Sequence, residues 1–520
     1  MFELVLFLSV LLGIYVYRRF FTRLPPGPIC WYPFVGYLPF LTKDPPRHLD
    51  ELRRKYGSIF GVRTGSYTLV PCSKCRIQLV LPDSTVTKTP NSAKLYFGSR
   101  YVVCLADFQT MKEVFNKDVA LERPPEIPFA IYQESMNLMT MNGPFWQEQR
   151  RYALQLFKSF AFTEKTLEHH IQLEVSHLLM EIDKHLNTPF EPTILLIPSM
   201  SNIISSLTFG KRFEYDDPDR IMLDNLIMEI PRRAGQVTYI HYMPWLKKIA
   251  LWLKWGSCNK LREALIQREA FCEKRVKEHE ETFKDNMFRD YIDYFLHEMK
   301  NETKGPSFRR NVLIGNVASF FGAGSETVRT TIDWLLLVCA AHPDIRVKVQ
   351  AEIDQVIGDR KPTWDDNRSM PYTMAVIWEL FRWKPINPIN ILRKSTEETY
   401  VKGYRIPKGS IVISCIWSIH NDKNFWDQPD EYRPERFLKR SESGELKVHK
   451  PEHLVPFSYG KRACPGEVIA KMEVFIYFVS ILQKFHVYPP PGKKVSFAEV
   501  VGVSLRPVSQ SILFQRRVTQ

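Results

Sequence analysis

The sequence predicts a mainly α-helical protein with a smaller β-region, a single large domain behind an N-terminal anchor. Three observations carry that expectation. Asn311 to Ala341 is a long helical pattern without proline, and residues 160–300 read as successive amphipathic helices. Strand-like alternation is confined to residues 59–70, 97–105, 400–414 and 490–520. Residues 1–17 are apolar except for Glu3 and Ser9, and end at Arg18-Arg19.

Composition narrows the function classes. The 520 residues carry a net charge of +14 and 44% apolar side chains. That suits an acidic partner or an anionic membrane surface, and no zinc-finger spacing or long basic block points to nucleic acid. The nine cysteines are odd in number and scattered, which disfavours a secreted disulfide framework and prefers a reducing compartment.

Residues 1–20 read as an uncleaved transmembrane anchor near the lower length limit. A signal peptide is the alternative, but a basic start and a small-x-small cleavage site are missing. The positive charges follow the run, which keeps the bulk of the protein on the cytosolic side. Residues 21–45 form a basic, proline-rich connector through Leu24-Pro25-Pro26-Gly27-Pro28, and 46–520 form the main domain.

Pro46 to Tyr56 reads as a short helix. Ile59 to Val70 reads as strand with a turn at Thr64-Gly65-Ser66, and Tyr101 to Leu105 as another strand. Asp107 is the expected cap of a helix reaching about Asn116. Residues 71–96 interrupt an otherwise continuous strand-turn-strand. They hold three lysines, three prolines and Cys72-x-x-Cys75, and read as a surface insertion or a wrongly assembled coding stretch. A lone Cys-x-x-Cys is weak support for zinc or redox chemistry.

Arg123-Pro124-Pro125 opens an apolar loop to Pro144. Trp146 and Arg150 share one face of the helix that follows, as a packed Trp beside a solvated Arg or as a paired site. The helices of 160–300 are expected to break at Pro189, Pro218, Pro231 and Pro244. Ile240 to Trp255 suits a membrane surface or core packing equally. In the long helix, Gly322 and Gly324 cost roughly 1 kcal/mol each against alanine. They imply either a local opening of the helix or close packing at Gly322-Ala323-Gly324-Ser325-Glu326-Thr327. Glu379 and Arg382 lie at i, i+3 in a helix over Tyr372 to Trp383. Tyr400 to Ser414 reads as strands with a turn at Pro407-Lys408-Gly409.

The chemistry concentrates at Pro456 to Gly466. Cys464 precedes a helical run from Glu467, where unpaired backbone N–H groups favour a thiolate. Gly460 and Gly466 let backbone approach something bulky and flat, Phe457 offers an aromatic face, and Arg462 a fixed positive charge. The sum suits a large, flat, anionic ligand whose metal takes sulfur, and haem answers that description.

Phe457-x-x-Gly460-x-Arg462-x-Cys464-x-Gly466 resembles the haem-ligating loop of the cytochrome P450 superfamily of haem-thiolate monooxygenases. The resemblance spans nearly the whole chain, and Ser201 to Phe213 resembles the drug-metabolising branch and its arthropod relatives. It implies haem b with Cys464 as the axial ligand of iron. It implies that Trp146, Arg150, Arg123, Arg393 and Arg462 reach the propionates, and that Glu379, Arg382 and Arg436 form a buried structural lock. It implies Thr327 and Glu326 as the oxygen-binding and proton-relaying pair beside Ala323. Phe320, Ile389, Ile391 and Val503 are expected substrate walls. The implied reaction inserts one oxygen atom of O₂ into an apolar small molecule. Its electrons come from NADPH through a membrane-bound NADPH–cytochrome P450 reductase, with cytochrome b5 as a further partner, at the endoplasmic reticulum. Lys461, Arg150 and Arg151 suit an acidic reductase surface or simple solubility. A haem-thiolate isomerase or dehydratase acting on a peroxide, and a non-catalytic haem- or lipid-binding protein, are the other readings. Retention of Glu326-Thr327 argues against the isomerase.

Overall fold

A computed structural model describes residues 9, 23–28, 37, 40, 44–64, 100–124, 127, 136–163, 166–237, 244–285, 287–301 and 305–517. The expected anchor (1–20, apart from residue 9) and the segment 71–96 with Cys72 and Cys75 lie outside these residues. Among the described residues, no helix is long and apolar enough to cross a membrane.

The first helix, α1 (Pro45–Tyr56), has proline in its first turn and Asp44 as cap. It leads into β1 (Ile59–Thr64), which pairs antiparallel with β2 (Arg100–Leu105) from Ile59 opposite Leu105 to Thr64 opposite Arg100. The strand expected at 66–70, just before 71–96, lies outside the described residues; the ladder that is described joins β1 to β2. The Asp107 Oδ1 accepts from the Thr110 N–H at 3.1 Å and starts α2 (Phe108–Phe115).

Among the described residues, eight helices then form the helical body: α3 (Gly143–Lys158), α4 (Thr166–Asp183), α5 (Thr193–Phe209), α6 (Pro218–Gln236), α7 (Pro244–Trp252), α8 (Gly256–Thr282), α9 (Tyr291–Lys300) and α10 (Arg310–Ala341). Pro218 sits in the first turn of α6, but Pro231 lies inside it, so the expected break there does not occur. Ile227, Ile230 and Ala234 are buried, and Ile230 and Ala234 pack in one cluster with Leu261 and Leu265 of α8. That burial outweighs the hydrogen bond proline removes.

The centre of the molecule is α10, whose 32 residues extend about 48 Å at 1.5 Å per residue. It packs against α5, α8 and α14 (Glu467–Lys484), most of whose side chains are also buried. Between them run α11 (Pro343–Val356), α12 (Pro371–Trp383) and the short α13 (Ile416–His420). Gly322 and Gly324 open nothing, because α10 is continuous α-helix. A Cβ on Gly324 would lie 2.5 Å from Ile204 Cδ1, so this glycine lets α5 approach.

The β-region completes the fold. The strands β3 (Arg393–Lys394), β4 (Thr399–Val401), β5 (Tyr404–Ile406) and β6 (Ile411–Ser414) follow α12. In the four-stranded sheet β1-β2-β6-β3, β6 is parallel to β2 and antiparallel to β3. The β4–β5 hairpin turns at Lys402-Gly403, both with positive φ (46° and 78°), a two-residue turn that matches strand twist. Small hairpins follow: β7 (Leu438–Arg440) with β8 (Leu446–Val448), β9 (Phe485–Tyr488) with β12 (Leu513–Arg516), and β10 (Glu499–Val501) with β11 (Leu505–Pro507). The expected terminal β-region is therefore present.

Candidate active site

The loop before α14 is a run of tight turns. The Ser458 N–H donates to Val455 O at 3.0 Å, the Ala463 N–H to Gly460 O at 2.9 Å, and the Cys464 N–H to Phe457 O at 2.9 Å. Gly460 is required twice over. Its φ is +74°, and a Cβ there would lie 2.2 Å from Phe115 O. Gly466 is the residue before α14, and a Cβ there would meet only open space. The Phe457 ring packs edge-on against Phe381 at 5.4 Å.

These turns deliver Cys464 to the head of α14. Its surface is exposed, yet burial pushes its thiol up, while the Gly466 N–H and the charge of Arg150 pull it back. Both hold together when the sulfur is surrounded by protein and faces an internal space. The other described cysteines, Cys104, Cys258, Cys272, Cys339 and Cys415, are buried and free.

A second exposed patch lies deep in the fold. Along α10, Ala323 and Thr327 are exposed in a helix that is otherwise mostly buried. They are four apart, so they form one stripe. The Thr327 hydroxyl donates to Ala323 O at 2.9 Å. Glu326 is buried beside that stripe, not on it. Its carboxylate accepts from Ser504 Oγ at 2.7 Å, Thr330 Oγ1 at 3.2 Å and Arg329 Nη2 at 3.3 Å. No hydrogen bond joins Glu326 to the Thr327 side chain among the described residues.

Four arginines converge at the edge of the loop. Arg462 stacks over the Trp146 ring at 3.7 Å and donates to Leu121 O, Leu138 O and Met141 O. Arg123 Nη1 donates to Ile391 O at 2.7 Å and Leu392 O at 2.8 Å. Arg393, on β3, lies over the Phe115 ring at 3.4 Å and donates to Tyr459 O at 2.8 Å. Arg150 Nη2 donates to Ala463 O at 2.6 Å, so of the three cations suited to a reductase surface Arg150 is committed inward, while Arg151 and Lys461 are exposed. Lys461 in turn pairs with Asp118 at 2.6 Å.

Burial lowers all four pKa values, and neighbouring arginines lower those of Arg123, Arg393 and Arg462 further; Arg462 is pushed down to about 8. Buried N–H groups remain without partners at Arg123 Nε, Arg150 Nε, and Arg393 Nε and Nη1. Such a cluster is costly unless an anion joins it. A thiol facing an enclosed space, a stripe of exposed helix and buried cations with unused donors fit haem, with the sulfur for iron and the guanidinium groups for two propionates.

Glu379, Arg382 and Arg436 are brought together in one buried ion-pair cluster. Glu379 is fully buried and accepts from Arg382 Nε and Nη2, both at 2.8 Å, from Arg436 Nε at 3.1 Å and from the Arg433 N–H at 2.9 Å. The expected wall residues lie on separate segments of the chain. Ile389 bridges to Cys415, and Ile391 O holds Arg123. Val503 packs on the α6–α8 cluster, and Phe320 sits edge-on to Phe157 and Tyr291, both at 5.1 Å. Ser504 and Thr330 as partners of Glu326 escape sequence reading, since Ser504 lies 178 residues from Glu326 and carries no pattern.

Comparison with known proteins agrees with this geometry. A family model described as cytochrome P450 matches residues 83–514. The chain is 34% identical over 503 residues to cytochrome P450 2J2 of Homo sapiens, covering 95% of this chain and 92% of that protein. It is 35% identical over 507 residues to cytochrome P450 2J5 of Mus musculus, covering 95% and 91%. It is 32% identical over 525 residues to cytochrome P450 2U1 of Bos taurus, covering 99% and 93%. A family match over most of the chain and relatives aligned nearly end to end join the cysteine loop and its arginine cluster in one conclusion: the chain belongs to the cytochrome P450 family and is a haem-dependent P450 monooxygenase.

Proposed function

We propose that the protein inserts one oxygen atom of O₂ into an apolar small-molecule substrate, using electrons from NADPH delivered by a membrane-bound NADPH–cytochrome P450 reductase, with cytochrome b5 as an accessory donor. The observation that carries this reading is the accessible Cys464 sulfur at the head of α14 beside a cluster of buried arginines with unused donors. Haem b, when bound, supplies the reductive activation of O₂ and the transfer of one oxygen atom to the substrate. The chain's own residues supply the rest. Cys464 provides the sulfur ligand, and Arg123, Arg150, Arg393 and Arg462, with Trp146, hold the propionate edge. Thr327 would present its hydroxyl to the substrate side, with Glu326, the next residue back on α10, as the proton-relaying partner. Ala323, Phe320, Ile389, Ile391 and Val503 shape the substrate walls.

The same reading places the protein at the endoplasmic reticulum membrane, anchored by residues 1–20 with residues 46–520 on the cytosolic side and 71–96 as a surface insertion. Support for membrane contact comes from the apolar side chains that follow the start of α7: Trp252 is 81% exposed, Leu253 57% and Trp255 54%. Exposed apolar groups next to Lys248 and Lys254 suit an anionic interface. Arg151 and Lys461 remain for an acidic reductase surface.

Reconstitution with the reductase tests the activity. Substrate should stimulate NADPH oxidation with matching product. In Thr327→Ala, haem should stay bound while product per NADPH falls and hydrogen peroxide rises. Groups that handle protons typically contribute about 10²–10⁴-fold. Unchanged coupling in that variant would remove Thr327 from the role, and turnover of a peroxide without NADPH or O₂ would favour an isomerase.

A further inference from the structure

Among the described residues, every polar side chain that holds the Glu326 carboxylate from outside α10 belongs to the β10–β11 hairpin. Arg329 and Thr330 are three and four residues further along α10 itself, so they travel with Glu326. The other two contacts are Ser504 Oγ, which donates to Oε1 at 2.7 Å, and Arg506 Nε at 3.9 Å. Ser504 gives the shortest contact of the four. It is 7% exposed and Glu326 3%, so water does not compete for the bond. Arg329 also pairs with Asp333, so its charge is shared between two acids. While these contacts hold, the carboxylate makes no hydrogen bond with the Thr327 hydroxyl, which donates to Ala323 O at 2.9 Å.

The hairpin is tied down at its strands. The Leu505 N–H donates to Ile386 O at 2.8 Å, and Leu505 O accepts from Trp334 Nε1 at 3.1 Å. Glu499 pairs with Lys384 and, at 2.5 Å, with Arg47. The bend Gly502-Val503-Ser504 between the strands closes on itself, the Gly502 N–H donating to Ser504 O at 3.2 Å. Val503 packs on the α6–α8 cluster, and a Cβ on Gly235 of α6 would lie 3.4 Å from Gly502 Cα. Adjacent residues of one bend therefore touch different elements: Val503 meets α6 and α8, and Ser504 meets the acid of α10. A shift of the bend that apolar contacts tolerate is enough to spoil the direction of a hydrogen bond.

We propose that Ser504 is a positioning residue that holds Glu326 at rest, and that an apolar body pressing on Val503 moves the bend and frees the carboxylate to serve Thr327. This rests on the reading of Glu326 and Thr327 as the proton-relaying pair and adds what controls that pair. The freed carboxylate takes one proton from solvent and gives one to the Thr327 hydroxyl as that hydroxyl passes its own on, so both groups end unchanged. Proton supply is thereby tied to an occupied site. Thr330 and Arg329 cannot play this part, because they keep their spacing to Glu326 whatever α6 and α8 do.

The test compares purified, haem-replete parent, Ser504→Ala, Ser504→Thr and Val503→Ala by infrared difference spectroscopy, with the Glu326 carboxylate band assigned by its loss in Glu326→Gln. The band should move in Ser504→Ala to that of a carboxylate with fewer donors, and stay near the parent's in Ser504→Thr. It should also move in Val503→Ala, whose side chain carries no donor for Glu326. With reductase and NADPH but no substrate, Ser504→Ala should release hydrogen peroxide about tenfold faster than the parent or more. A hydrogen bond to a charged group is worth about ten- to a hundredfold. Ser504→Thr should return release to the slow parental rate. A band unchanged in Ser504→Ala, a band that moves there but not in Val503→Ala, or parental peroxide release in Ser504→Ala would overturn the proposal. If the bands move as expected but Ser504→Ala with Glu326→Gln releases peroxide as fast as Ser504→Ala alone, the relay reading fails instead, so the two failures are distinct.

Discussion

Glu379→Ala should yield almost no folded holoprotein. The Glu379 carboxylate is completely buried and takes four donors, from Arg382, Arg436 and the backbone of Arg433. Arg382 is equally buried and spends its remaining donors on His420 O at 3.0 Å and Glu431 O at 3.1 Å. Removing Glu379 leaves two guanidinium groups facing each other without a counter-charge. Breaking a buried pair from one side costs about 3–5 kcal/mol. Against a typical stability of about 5–15 kcal/mol, that is a large share. Replacing Glu379 together with Arg382, as in Glu379→Leu with Arg382→Leu, should cost less than Glu379→Ala alone, because only Arg436 is then left without its counter-charge instead of two guanidinium groups. Haem content per polypeptide and the thermal midpoint read both effects. A well-folded, haem-replete Glu379→Ala protein with lost activity would point to a catalytic role.

Glu473→Gln should remove a strong pH dependence from stability. Glu473 lies on α14 with no exposure, and neither carboxylate oxygen has a hydrogen-bond partner. Burial raises its pKa from 4.5 to about 8. The folded state therefore keeps a proton that the unfolded chain has released. Stability is lost as pH rises through the window from about 4.5 to about 8 and levels off above it. The full difference is on the order of 4–5 kcal/mol, at about 1.4 kcal/mol per pH unit. Near pH 5, parent and Glu473→Gln should unfold at similar temperatures. By pH 8, the variant should unfold clearly higher. Parallel curves from pH 5 to 8.5 would show that Glu473 is ionised in the folded protein and balanced by a group the geometry does not reveal.

Local chemistry made much of this legible. The α10 pattern needs only an absence of proline and a continuous apolar surface, and its observed start differs from the expected Asn311 by one residue. Asp107 caps α2 because its side chain and the Thr110 N–H are three residues apart in any chain. The loop around Cys464 was readable because each residue type there answers a local demand, as Gly460 does with its positive φ and its contact with Phe115. What sequence could not show depends on distant partners. Pro231 stays helical because α8 covers its neighbours. Gly322 and Gly324 looked alike, but one makes room for Arg268 and the other for Ile204, on two different helices. Glu326 reads as part of a proton-relay motif, yet its position is fixed by Ser504 across 178 residues.

The central claim is that Cys464 supplies the sulfur that holds haem iron. The most direct measurement is the carbon monoxide difference spectrum of the reduced protein, parent against Cys464→Ser. The parent should show the thiolate-type band, and Cys464→Ser should lose it even where haem is retained, since the other described cysteines are buried elsewhere. A thiolate-type band that survives in Cys464→Ser would contradict the account.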